Sequence, residues 1–120
     1  MNVRHEALPD HLLVTADGEF DLRHARAGLG EALREAQARG LTRMLVDGRA
    51  IASNVSVADR YDLATQLAAA TPIGLRVAIV VAPQNMFTKT LEDTARNRGV
   101  ALISTDSVEA ARAFLGLEPA

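Results

Sequence analysis

The sequence predicts an α/β fold: a β-hairpin at the amino terminus, then strand–helix repeats that build a mixed, mostly parallel sheet flanked by helices. Three observations carry this expectation. Short β-like runs alternate with longer helical stripes along the chain. The run LRVAIVVA (75–82) is apolar on both faces of a pleat, as a strand covered from two sides must be. No linker or low-complexity tract interrupts the 120 residues, a length that fits one domain, residues 1–120, with its own core.

Taken in order, NVRHEAL and HLLVTA flank Leu8-Pro9-Asp10-His11, with Pro at the second turn position and Asp at the third. This predicts an antiparallel hairpin. The next segment, DLRHARAGLGEALREAQARG, places Leu22, Ala25, Leu29, Ala32, Leu33 and Ala36 on one helical face, with Asp21 as cap and Gly40 at the end. RMLVD reads as a strand ending at Asp47. VADRYDLATQLAAA is helical, with Val57, Tyr61, Ala64, Leu67 and Ala68 expected inward. After LRVAIVVA, Asn85 is placed to cap a helix over MFTKTLEDTARNR, and Gly99 closes it. VALIS is the last strand. The final helix is expected to open on Asp106 with Glu109 three residues later, the spacing of a capping box.

Composition excludes several function classes. A net charge of −2 offers no electrostatic footprint for nucleic acid or an anionic membrane. Zero cysteines exclude disulfides, thiolate metal sites and a cysteine nucleophile. The opening residues lack the apolar core of a signal peptide and no apolar run approaches membrane-spanning length, so a cytoplasmic location is expected. Phe20, Tyr61, Phe87 and Phe114 are too few for a base-stacking platform.

In a parallel sheet, ligands gather beyond the carboxyl ends of the strands. Four loops meet there: Asp17-Gly18-Glu19, Asp47 to Ser56, Pro83-Gln84-Asn85 and Ser104-Thr105-Asp106. Each must also start a helix, which accounts for many of their polar residues. Gly28-Leu29-Gly30 lies inside a predicted helix, where it serves a close helix contact rather than a dinucleotide. His5, His11 and His24 lack metal-site spacing, and no cofactor is implied. No glycine-flanked serine elbow is present. A phosphoacceptor receiver would need an acidic pair after an early strand and a Lys after a late one, whereas Lys89 is expected inside a helix. Ser56-Val57-Ala58-Asp59 is a competent helix start, with a capping serine and an acid at the positive end of the helix dipole.

These segments resemble the STAS family, the sulfate transporter and anti-sigma factor antagonist domains, over nearly the whole chain. Gly18-Glu19-Phe20-Asp21 resembles the family's glycine–acid–hydrophobic–Asp ending of the hairpin, and RMLVDGRAI its strand ending in Asp. The family's next helix opens on a serine that the partner kinase phosphorylates in anti-sigma factor antagonists; the matching position is Ser56. Where the family has Asp-Ser-Ser-Gly or similar, this chain has Val55-Ser56-Val57-Ala58. LRVAIVVAP and ARNRGVALISTDSVEAARAFLG are similar to the ending of the bacterial SpoIIAA-like branch, which shares features with lipid-carrying CRAL-TRIO domains.

The expectation is a non-enzymatic regulatory module that contacts a protein through loop 49–56 and the following helix. Asp47, Arg49, Ser53, Asn54, Ser56 and Asp59 are its contact residues, and Ser56 its phosphorylation candidate. The resemblance implies a kinase-like anti-sigma factor as partner; a homodimer is left open. The alternative is a carrier or sensor of a small apolar, lipid-like ligand. For it, Ala68-Ala69-Ala70 and the scarce aromatics would leave space between helix and sheet, although small residues more often permit close packing. An enzyme built on Asp47, Arg49 and Ser56 would lack a base near the serine. Met86 and Phe87, if exposed, offer an apolar pair to a partner or a dimer, but Phe87 can equally pack inward with Leu91.

Overall fold

The chain reverses at Pro9-Asp10, where a turn is expected, and the Leu8 amide donates to the His11 carbonyl at 2.9 Å across the end of the hairpin. This reversal joins β1 (Asn2–Ala7) to β2 (Leu12–Gly18) in an antiparallel pair. The computed structural model describes residues 1–86 and 89–119. Among them, α1 (Leu22–Ala38), β3 (Arg43–Ile51), α2 (Val57–Ala70), β4 (Arg76–Val81), α3 (Thr90–Asn97), β5 (Ala101–Thr105) and α4 (Val108–Leu115) follow in order. The sheet runs β1-β2-β3-β4-β5, parallel from β2 onward. No helix among the described residues is long and apolar enough to cross a membrane.

Strand order equal to chain order decides where the helices go. Crossovers of one hand that always step the same way deliver their helices to one face. Accordingly Leu29 and Leu33 of α1, Leu63 and Leu67 of α2 and Ala95 of α3 share one core with Val14, Met44, Val46, Val77 and Ile79. On the other face α4 lays Ala111 and Leu115 over Leu45, Ala78 and Val80. β4 thus buries alternate residues in two cores, which is why its sequence is apolar from Val77 to Val81. At the α4 side Arg76 lies 4.6 Å from the Phe114 ring centroid, a cation–π contact at the sheet margin.

Several local expectations hold. The Asp21 carboxylate caps α1, accepting from the Arg23 amide at 3.0 Å, and the predicted face of α1 is buried, with Leu22 half-buried at its start. Others shift. β3 runs past Asp47 to Ile51, because Ala50 and Ile51 pair with Asp17 and Gly18 of β2. Ser107, not Asp106, caps α4, its hydroxyl accepting from the Ala110 amide at 3.1 Å. Asn85 does not cap α3; it ends a separate 3₁₀ turn (Pro83–Asn85) and is buried, while Lys89 stands at the helix start rather than within the helix. Met86 is half-buried, and the expectation about Phe87 lies outside the described residues.

The largest correction concerns α2. Val57 and Tyr61 are 55% and 49% exposed, and the inward face is Arg60, Leu63, Ala64 and Leu67. The helix is turned so that a charged residue enters the protein. Only polar partners awaiting the guanidinium make that tolerable.

Gly28 shows how closely α1 approaches the hairpin: a Cβ built there would lie 2.4 Å from Val3 Cγ1. This is the close contact anticipated for the Gly-Leu-Gly stretch. Gly28→Ala is therefore expected to lower unfolding free energy by about 1–3 kcal/mol, the usual range for overpacking. Val3→Ala in the same chain should recover part of the loss in urea titrations; equal stability of wild type and Gly28→Ala would contradict the packing described.

Candidate functional site

The carboxyl edge is shaped first by a bulge. Thr15 opposes Asp47 but Asp17 opposes Ala50, so two steps along β2 face three along β3. The extra residue falls at Gly48-Arg49. Gly48 fits because a Cβ there would lie 3.3 Å from the Val80 carbonyl of the next strand. Asp47 fixes the irregular backbone, its Oδ1 accepting from the Arg49 amide at 3.1 Å. The Arg49 guanidinium then grips the same carboxylate through Nε at 3.0 Å and Nη2 at 2.8 Å. These hydrogen bonds hold the Asp47 carboxyl below the usual carboxylate range and push the Arg49 guanidinium up. Charge at this corner is internally balanced.

Beyond the bulge the loop is tied on both sides. Towards β2, the Ala52 amide donates to the Gly18 carbonyl and the Phe20 amide to Ser53 Oγ, each at 2.9 Å. Towards β4, Asn85 Oδ1 accepts from the Val55 amide at 3.0 Å and from Arg60 Nη2 at 3.4 Å. Asn85 Nδ2 reaches the Ser53 carbonyl at 3.5 Å, and Arg60 Nε donates to the Val55 carbonyl at 3.0 Å. One buried amide and one buried guanidinium thus hold the strand-to-helix corner against its neighbour.

The residues singled out from sequence share this rim but have different tasks. Asp47 and Arg49 bond each other, and Ser53 serves the backbone of the β2–α1 connection. Asn54 is exposed. Ser56 is exposed and caps α2, its hydroxyl accepting from the Asp59 amide at 3.1 Å. Beside that cap stand the two residues that the turned helix leaves in water, Val57 and Tyr61. Arg98, following α3, lies 5.6 Å from the Tyr61 ring centroid and donates from Nη2 to its hydroxyl at 3.2 Å. The result is an exposed strip of serine, valine, tyrosine and arginine.

Sequence reasoning missed Asn85 and Arg60 as the organisers of the corner. A signal for Arg60 existed: with Leu63, Ala64 and Leu67 it completes an i, i+3, i+4, i+7 stripe. For Asn85 the local sequence offers only a cap-like residue after proline.

Among solved structures the chain is similar to an anti-sigma factor antagonist from Mycobacterium paratuberculosis, with a TM-score of 0.65 and 17% identity over 96% of this chain and 93% of that one. It also resembles the anti-sigma factor antagonist SpoIIAA in its unphosphorylated form, with a TM-score of 0.48 and 14% identity over 98% and 100% of the two chains. No family model and no curated protein matches the sequence. At such identity the first likeness is one of fold, and it agrees with the α/β architecture expected from the sequence.

Replacing Asn85 by Leu keeps bulk but removes the acceptor of a part-buried amide and a buried guanidinium. Such groups cost about 1–3 kcal/mol each when left unmet. Asn85→Leu is expected to lose stability of that order and to exchange the Val55 amide proton faster in hydrogen-exchange measurements. Unchanged protection of Val55 would show that the clamp does not hold the loop.

Proposed function

We propose that the protein is a non-enzymatic regulatory module that docks a protein partner through the Arg49–Ser56 edge and the outward face of α2. The single observation that carries this reading is the exposure of Val57 and Tyr61 beside the Ser56 cap. A core-forming helix has no use for these side chains in water. Tyrosine and arginine, here in contact through Tyr61 and Arg98, are the residue types over-represented in protein-binding hot spots. The hydroxyls of Ser53 and Ser56 each accept from a backbone amide, an arrangement suited to capping rather than to a nucleophile activated by a base. The likeness of fold to an anti-sigma factor antagonist supports a kinase-like anti-sigma factor as the partner class.

Ser56 is the modification point in this reading. A phosphate there carries about −1.5 to −2 charges and meets the positive end of the α2 dipole, which favours it. Asp59, in the first turn, opposes it. Modification would reverse the sign of a strip whose own charge is the Arg98 guanidinium and change its fit to a partner.

Two measurements test the proposal. Tyr61→Ala removes a half-exposed side chain and its Arg98 contact, so the fold should be kept with a stability loss of about 1 kcal/mol or less. In affinity capture from the native host it should lose a protein that the wild type retains, and identical captured sets would defeat the docking face. Intact-protein mass spectrometry of material from the native host is expected to show a phosphorylated fraction that disappears in Ser56→Ala. A wholly unmodified Ser56, with Ser56→Ala behaving as wild type in the cell, would remove the switch and leave only the cap.

A further inference from the structure

Behind the corner, between the sheet and the helices that share its larger core, lies a cavity of about 100 Å³. Its floor is Val14, Val46 and Ile79; Ala25 and Leu63 belong to its roof. Ile51 and Val55 complete the wall on the side of the docking loop. Protein interiors are packed nearly as densely as organic crystals, and a void this size exceeds what a single water fills. An apolar void of about 150 Å³ stays dry and takes up benzene or xenon.

The geometry points to a binding site for a small uncharged apolar molecule, benzene-sized or smaller, whose occupancy orders the loop that carries the docking edge. This volume suits a small member of the apolar class considered from sequence better than a long acyl chain enclosed whole. The polar groups in the wall argue against an ionic ligand. Glu92 accepts from the Ser104 amide at 2.9 Å and meets Lys89 Nζ at 3.5 Å. Arg60 is engaged with Val55 and Asn85. Coupling follows from who forms the wall. Val55 lines the cavity, while its amide is held by Asn85 and its carbonyl by Arg60. A molecule pressing on that residue bears directly on the clamp. The site itself does not depend on the docking proposal; only the use made of the coupling does.

Titration of the full chain with benzene, followed by methyl NMR, tests the inference. Saturable shifts are expected for Val14, Val46 and Ile79, with none for Leu45 and Leu115 on the opposite sheet face. Hydrogen exchange at the Val55 amide should slow as the site fills, and the thermal midpoint should rise with benzene concentration. Ala25→Leu, or Ala16→Val at another lining position on β2, should fill the void and abolish the shifts. Unmoved methyls at benzene saturation, or equal shifts on both faces, would overturn the site, as would a folded filling variant that binds like wild type. If neither variant folds, the wild-type titration decides alone. Binding without slower Val55 exchange would overturn the coupling while leaving the docking face untouched, since Tyr61→Ala capture reports on that separately.

Discussion

Asn85 reaches from the end of β4 into the preceding crossover, where its carboxamide oxygen receives the Val55 amide and the Arg60 guanidinium. A carboxamide carries both acceptor and donor, so one side chain can serve an N–H on one side and a carbonyl on the other. That versatility is what the corner needs. Two adjacent loops at the carboxyl edge would otherwise bury unmatched polar groups between them. With Asn85 in place, Arg60 can be buried, and burying Arg60 fixes the rotation of α2. The rotation in turn leaves Val57 and Tyr61 outside. A surface feature on one helix is therefore the consequence of an internal hydrogen bond on the next loop.

The sheet topology supplies the stage for this interaction. Because neighbouring strands are consecutive in the chain, each carboxyl-end loop lies beside the one that follows it. The bulge at Gly48-Arg49 lengthens β3 and keeps it paired with β2 beyond Asp47, which brings Ser53 within reach of the Phe20 amide. The loop is consequently anchored to the strand before and to the strand after. Its outer residues, Arg49, Asn54 and Ser56, remain exposed on a base hydrogen-bonded to both neighbours.

Much of the fold was legible from sequence because period and punctuation are local. The Pro-Asp turn, the Asp21 cap and the doubly apolar β4 each depend on a few adjacent residues, and each is found as expected. What escaped depends on residues distant in sequence. The burial of Arg60 cannot be inferred without Asn85, 25 positions away. Asn85 looked like a helix cap because asparagine suits that task equally well. Ser107 displaced Asp106 for a narrower reason: both can cap, and the chain's path out of β5 chose between them. The grouping of residues 47–59 at the carboxyl edge of the sheet was legible, while the exposed Val57–Tyr61 strip beside it was assigned to the core.

Consecutive strand pairing has one more consequence, for the route by which the chain organises itself. The Asp47–Arg49 fork and the Asn85 clamp belong to one uninterrupted stretch covering β3, α2, β4 and the turn after it, and Gly18 and Phe20 tie the corner to the segment before. Contacts between sequence neighbours close short loops and cost little chain entropy, which favours rapid assembly. The docking loop and its clamp thus mature together around one β–α–β unit without waiting for β5 or α4, and Arg98 joins Tyr61 once α3 is in place.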